Sequence, residues 1–407
     1  MKALVLAGGF PQIALIKELK TRKIETVLAD YYENPVARPY ADKFYRTSTL
    51  DVDGITEIAR SEAVDFLITA CTDQALNTVA CVSEKLGLPC YIDYQTALNV
   101  TNKQYMKKVF NEYGIPTAKH VIMGELEEEK LNAMSYPLIV KPVDCNSSKG
   151  VKRVENIEEL RPAFAKAVEY SRTNTAIVEE FIDGDELSVD VYVENGVAHI
   201  LSVSMLDKIA NNDKFIIFRG RYSSEMVERV HDLVQGIAQQ IADAFGLKDS
   251  PMLIQMISDG KTASVLEFSA RTGGGVKFRL IKKASGFDVI AAVVDLTLGN
   301  KPHVEKVVSE NKYIVNEFIY CSKGIFDHLE GFEELVNEGV ISEYSLYKWQ
   351  GAKFDAIESS GNRVAGFTLQ SDSMDDLKLK HIKAISRMRV VDINGNDIMR
   401  RDLLESI

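Results

Sequence analysis

Two lysines, one acidic segment and a late acidic strand carry the chemistry this sequence can offer. Lys141 closes a strand-like run (LIVK, 138–141), followed by Pro142 and the small, polar loop Asp144-Cys145-Asn146-Ser147-Ser148-Lys149-Gly150. Small residues in such a hairpin let backbone N–H groups approach phosphate oxygens, and lysines bring mobile positive charge to them. Lys103 falls in the first turn of a helical pattern over 102–113. Taken alone, either lysine is more often a solvated surface residue. The segment VEEFIDGDE (178–186) sets Glu186 seven residues after Glu179, across an Asp-Gly turn. A carboxylate there suits ribose hydroxyls, and a strand over 178–182 offers backbone groups to an adenine edge; in isolation the same segment is an acidic turn.

The most informative stretch is LEFSARTGGG (266–275). Side chains alternate along a strand, so Glu267 and Ser269 share a face, and Gln255 on the preceding strand can share it too. These three are oxygen donors of the kind a hard cation on a triphosphate takes. Arg271 joins that face if the strand continues, where its planar guanidinium grips a phosphoryl or carboxylate oxygen pair. Gly273, Gly274 and Gly275 leave room for a ligand beside the backbone; the alternative is an exposed strand and a flexible loop.

Two further motifs are weak. Gly260-Lys261-Thr262 resembles the end of a P-loop, but Gln255 stands where its first glycine belongs, and the segment joins two strands instead of entering a helix. The opening AGGF, with Asp30 roughly twenty residues on, resembles a dinucleotide fingerprint but lacks its G-x-G-x-x-G spacing.

The elements that must position these groups follow from periodicity. Apolar runs at 2–7, 26–29 and 65–70 alternate with helical patterns, which predicts a parallel sheet covered on both faces and ending near residue 98. Thr101 is the expected N-cap of the next helix, with Met106, Val109, Phe110 and Tyr113 at helical spacing. Strands at 138–141, 151–154, 176–181, 187–194 and 197–204 follow, the last two joined by the hairpin signal Asn195-Gly196. A long amphipathic helix carries Met226, Val230, Val234, Ile237, Ile241 and Phe245, and strands at 252–257 and 263–268 come after it. The expected class is α/β first and α+β afterwards.

Length and composition set the bounds. A chain of 407 residues predicts several compact lobes. A net charge of −11 argues against a broad nucleic-acid or anionic-membrane surface. No leader or membrane-spanning run is evident, and five scattered cysteines without a C-x-x-C pair read as reduced thiols, so a cytoplasmic protein is expected.

In order and spacing, the motifs resemble the ATP-grasp superfamily over nearly the whole chain. The resemblance implies a Rossmann-like preATP-grasp lobe (1–98) and an ATP-grasp domain (99–300) whose small lobe spans about 115–185 and whose larger lobe follows. A C-terminal α+β subdomain (301–407) would complete the large lobe. It implies ATP held by Lys103, Lys141, Ser147, Ser148, Lys149, Gly150, Glu179, Glu180, Phe181, Ile182 and Glu186. Mg²⁺, with Mn²⁺ as a substitute, would sit on Glu267, Gln255 and Ser269, and Arg271, Lys141 and Glu267 would act in catalysis. The implied activity is ADP-forming ligation of a carboxylate to an amine through an acyl phosphate, on small molecules, and the chain looks like single-module relatives of carbamoyl-phosphate synthase and L-amino-acid ligases. Homodimers are common among such proteins. Two departures stand out: Gln255 replaces the usual acid and Ser269 the usual Asn. They keep open a nucleotide-binding pseudoenzyme; a nicotinamide-dependent dehydrogenase built on the first lobe is the third reading. Lys214, Arg219 and Arg221 read either as selectors of an anionic substrate or as a solvated loop.

Overall fold

The computed structural model describes residues 1–145, 149–209, 215–305, 312–404 and 407. The first apolar runs form a four-stranded parallel sheet, in the order Lys43–Arg46, Glu25–Asp30, Lys2–Leu6, Phe66–Ile68. Strands buried on both faces need apolar side chains on both, which is why KALVL shows no alternation. Helix Phe10–Thr21 covers one face through Leu15, Ile16 and Leu19, and helices Val52–Ser61 and Asp73–Leu86 cover the other through Ile55, Ile58 and Val79. The first face is completed from far along the chain: Ile290, Val293 and Val294 of helix Val289–Thr297 enter the same core. Arg22 ties the two helices together by an ion pair to Asp295 at 2.6 Å.

A small antiparallel sheet follows, in the order His120–Met123, Ala176–Glu180, Leu138–Pro142, Lys152–Val154. Leu138 and Val140 pack with Val178 and Phe164 of helix Ile157–Tyr170. Alternation then turns Ile139 and Lys141 to the opposite face.

The largest sheet has eight strands, in the order Ala263–Ser269, Ser250–Ser258, Asp185–Glu194, Val197–Lys208, Ile217–Ser223, Tyr313–Ile319, Ala365–Ser371, Glu343–Leu346. Asn195 and Gly196 both take positive φ (51° and 83°), the geometry a tight hairpin demands. Helix Ser224–Ala244 lays Met226, Val230, Val234, Ile237 and Ile241 on this sheet, and its N-terminus is capped by the Ser223 side chain. A three-stranded sheet (Lys353–Phe354, Gly324–Glu330, Arg389–Asp392) and helix Met374–Arg387 close the chain around Phe326, Phe332, Leu377 and Val390. No described helix is long and apolar enough to cross a membrane.

The expected N-cap is corrected by one residue. Helix Lys103–Glu112 is capped by Asn102, whose side chain accepts from the Tyr105 N–H at 3.0 Å, while the Thr101 hydroxyl donates back to the Ala97 carbonyl.

Candidate active site

The cap at Asn102 starts the helix so that Lys103 and Lys107, one turn apart, face the small sheet. On that sheet Glu179 lies opposite Ile139 and diagonal to Lys141, on one face. The result is a buried triangle: the two Glu179 oxygens take Lys107 Nζ at 2.8 Å and Lys141 Nζ at 2.6 Å. Burial alone would push the Glu179 carboxyl up, but the two ammoniums outweigh it and hold it at about 2. Lys107 is drawn down by burial and by Lys141, against the pull of Glu179, because two cations share one counter-charge. Its neighbour Glu180 points the other way, accepting from the Ser135 N–H at 2.9 Å. The Phe181 ring packs under the Arg153 guanidinium, 4.4 Å from its centroid.

Gln255 and Glu267 are direct cross-strand partners, and the register shifts just beyond them, between Gln255 and Met256. This irregularity brings both Leu266 and Glu267, consecutive residues, to the wall of one cleft. Apolar walls from Ile139, Phe181, Ile182, Phe215, Ile257 and Leu266 enclose that cleft; Lys103, Lys141, Lys149, Glu186 and Glu267 supply its charge. Glu186 pairs with Lys208 at 2.6 Å and accepts from Gln255 Nε2 at 3.2 Å, which leaves the Gln255 amide oxygen as its free end. Lys103 bridges Glu267 (3.1 Å) and the Cys145 carbonyl (2.6 Å); burial pulls its pKa down, but the carboxylates of Glu267, Asp73 and Glu179 outweigh it and raise it overall. Glu267 is pushed up by burial but held down overall by Lys103 and Lys141. At the loop after Lys141, Gly150 has φ 74° and lies against Tyr170 and Pro142, where a Cβ would stand within 3 Å of both rings. Lys149 rests over the Tyr170 ring. Ser147 and Ser148, like Asn146 and Lys214, lie outside the described residues.

Beyond Glu267 the cleft meets a second cavity of about 430 Å³, lined by Asp73, Arg271, Lys277, Asn316 and Arg363 and sharing Gln255 and Glu267. The strand stops at Ser269, so Arg271 reaches this cavity from the loop after it. Asp73 of the first lobe holds it: Asp73 accepts from Ser269 Oγ, from Arg271 Nε at 2.7 Å and from Arg271 Nη2. Asp73 is aimed there by a sharp turn after strand Phe66–Ile68, where Cys71 takes a positive φ of 63°. Burial pushes the Cys71 thiol up to about 12, which removes it as a nucleophile at neutral pH. Under the glycine loop, Lys277 pairs with buried Asp190 at 3.2 Å, and Gly273 passes so close that a Cβ would stand 2.9 Å from Asp190 Oδ1.

As a metal site the donors fit in kind, all oxygen, with Glu267 the one carboxylate of the three residues named from the sequence. No group of three or more His, Cys, Asp or Glu poised for a metal occurs among the described residues. Sequence reasoning missed Asp73, Lys107, Lys208 and Arg363. Lys107 had a signal, a lysine one turn after Lys103 beside buried Met106 and Phe110. Arg219 is neither a selector nor solvated: it is buried, bonded to Glu317 at 2.6 Å, and Arg221 pairs with Asp207. The AGGF loop is closed by Asp30, which accepts from the Gly8 N–H at 2.6 Å and from the Tyr32 N–H, while Pro35 lies against Gly8. The acid a dinucleotide ribose would need is thereby occupied.

Residues 134–279 match the family model of the ATP-grasp domain. The chain is 23% identical to the phosphoribosylamine–glycine ligase of Lactococcus lactis over 75% of its own length and 77% of the relative's. It is 29% identical to the formate-dependent phosphoribosylglycinamide formyltransferase of Methanocaldococcus jannaschii, over 46% of the chain and about half (49%) of that protein. The crystal structure of an L-amino acid ligase from Bacillus licheniformis superposes with a TM-score of 0.79 at 19% identity, covering 96% of this chain and 98% of the other.

Proposed function

Since this chain carries an ATP-grasp domain, we propose that it is an ADP-forming ligase that activates a small-molecule carboxylate as an acyl phosphate and couples it to an amine. One observation carries this reading: the nucleotide cleft and the Arg271 cavity meet at Glu267 and Gln255, so the end of a triphosphate lying in the first opens onto the second.

Adenine fits between Ile139, Phe181, Ile182 and Leu266, with backbone groups at Glu180 to Ile182 along its edge and Glu186 at the ribose. Lys103, Lys141, Lys149 and the loop with Ser147, Ser148 and Gly150 offset the triphosphate charge, and Glu179 holds Lys141 in place. Glu267, the Gln255 amide oxygen and the Ser269 hydroxyl would hold Mg²⁺, or Mn²⁺ in its stead, which would further neutralise the triphosphate charge. The substrate carboxylate attacks the γ-phosphorus, the bond to the β–γ bridging oxygen breaks and ADP leaves. The amine lone pair then attacks the acyl carbon, and phosphate departs with the C–O electron pair and takes up the proton that the nitrogen loses. Arg271, fixed by Asp73, stabilises charge on the transferring phosphoryl group and on the tetrahedral adduct. Such catalysis is positioning and electrostatics, consistent with the inert Cys71 thiol.

Gln255 and Ser269 favour a second reading, nucleotide binding without transfer. Incubation with Mg·ATP and a panel of amino-acid pairs and small carboxylates, following ADP and phosphate, separates the two. Acceptor-dependent ADP and phosphate, lost in Lys141→Ala and Glu267→Ala, is expected. ATP binding without turnover on any pair would support the second reading, and AMP formation would exclude the acyl phosphate. The division at 1–98, 99–300 and 301–407 is proposed as functional units, not separate folding units, because helix Val289–Thr297 completes the first lobe. Five free thiols suit a reducing, cytoplasmic compartment. A homodimer is the proposed assembly, checked by mass in solution.

A further inference from the structure

A cavity of about 620 Å³ lies apart from the transfer site, between helix Phe10–Thr21, the segment 34–40, the start of helix Lys277–Ser285 and the stretch 344–349. That volume suits a small organic ligand. Its wall holds four cations, Lys17, Arg38, Arg279 and Lys348, and no Asp or Glu among the described residues, in a chain of net charge −11. Among the described residues only Arg279 of the four has an ion pair, with Glu343 at 3.0 Å. Arg38 donates to neutral oxygens, the Glu33 carbonyl at 2.7 Å and Asn34 Oδ1 at 2.8 Å. Lys17 sits over the Tyr40 ring, 5.1 Å from its centroid. Lys348 is half-buried, has no ion pair among the described residues, and is drawn down in pKa by that burial. Lys348, partly desolvated and without a counter-charge among the described residues, carries a free-energy cost that an incoming anion removes, while Lys17 and Arg38 are exposed.

Five rings, Phe10, Tyr40, Phe278, Tyr344 and Trp349, share the rest of the wall with aliphatic residues, prolines and Asn34. Trp349, the one tryptophan of the chain, rests 5.4 Å from Tyr32 between ring centroids, and Tyr40 and Tyr344 are more than a third exposed. Flat faces beside cations select a ligand that is itself flat at one end and anionic at the other. The cavity also adjoins the transfer site. Phe10 packs in one cluster with Val276 and Phe318, both of which line the Arg271 cavity, and Phe278 follows directly on Lys277.

We infer that this cavity binds a small organic anion carrying a flat, unsaturated group, its carboxylate or phosphate on Lys17, Arg38 and Lys348 and its ring against Trp349 and Tyr40. A nucleoside monophosphate and an aromatic carboxylate share this chemistry. Titration of the full chain with AMP, phenylacetate and inorganic phosphate, reading Trp349 fluorescence, tests it. A saturable change with AMP or phenylacetate is expected, and the organic anion that saturates first identifies the source. Lys348→Met should weaken it about tenfold or more, the loss expected for one charge-assisted contact, and Lys348→Arg should restore it. Inorganic phosphate, without a ring, should bind about tenfold more weakly than AMP. No saturable change up to about 10 mM ligand, where even a millimolar site fills, would overturn the inference. So would binding unchanged in Lys348→Met, AMP binding lost in Lys141→Ala but kept in Lys348→Met, or a fluorescence change that tracks protein self-association alone.

Discussion

Two carboxylate–lysine clusters flank the nucleotide cleft, and they differ in how much freedom they retain. Glu179 is clamped by Lys107 and Lys141 with its side chain 3% exposed; Glu267 has one ion-pair partner among the described residues, Lys103, and its side chain is 34% exposed. A carboxylate with each oxygen on a lysine and shut off from solvent is closed to a ligand and serves to fix its lysines. A half-open carboxylate with one exchangeable partner can trade that partner for phosphate-bound charge. On the proposed function, the difference separates scaffold from reaction centre within one cleft.

Substitutions at the two carboxylates should act differently. The largest effect is expected from Glu179→Gln, which leaves two buried lysines against no charge. It should lower unfolding stability by about 3–5 kcal/mol, read from urea denaturation. An effect under about 1 kcal/mol would place Glu179 with the open cluster. Glu267→Gln should do the reverse, lowering kcat/KM of the ligation by about 100-fold or more while the urea midpoint stays near that of the parent. If it unfolds the chain instead, the distinction fails.

Acid should find the closed cluster next. The Glu179 carboxyl is held at about 2 in the folded chain against an ordinary 4.5. The unfolded chain therefore binds more protons in that window, so this contribution is full above about 4.5 and is lost as pH falls toward about 2. The urea midpoint should drop between pH of about 5 and about 3, and drop less in Glu179→Gln. Equal drops would show that other carboxylates govern acid lability. The smallest effect belongs to Gln255→Glu. A second carboxylate beside Glu267 should tighten Mg²⁺ several-fold, measured by calorimetry with ADP bound. It would also set a like charge against Glu186, so the metal-free variant should melt slightly below the parent.

Local pattern and spacing made much of the site readable from the sequence. Lys141 sits on a strand whose alternating burial declares its face; Glu179, Gln255, Glu267 and Ser269 sit on strands without that alternation, and sequence order and hairpin spacing made them readable. Asp73 was not readable, because it reaches Arg271 across 198 residues and from another lobe. Its only local mark is an acid just after a strand end. Arg219 misled for the opposite reason: a basic residue in a loop-like stretch looks exposed until the strand carrying Glu317 is laid beside it. The Asn102 cap shows the limit of boundary reading, since Thr101 and Asn102 are both good caps and only the backbone geometry chooses.

The helix Val289–Thr297 has a consequence for biosynthesis. The four strands of the first sheet have all emerged by Ile68, yet one apolar face of that sheet lacks part of its cover until residue 297 has been made. At ordinary elongation rates that interval is about 10 to 50 s, during which Ala3, Val5, Leu28 and Phe66 must be shielded by helix Phe10–Thr21 alone or by a chaperone. The opening of the chain is thus translated early and completed late.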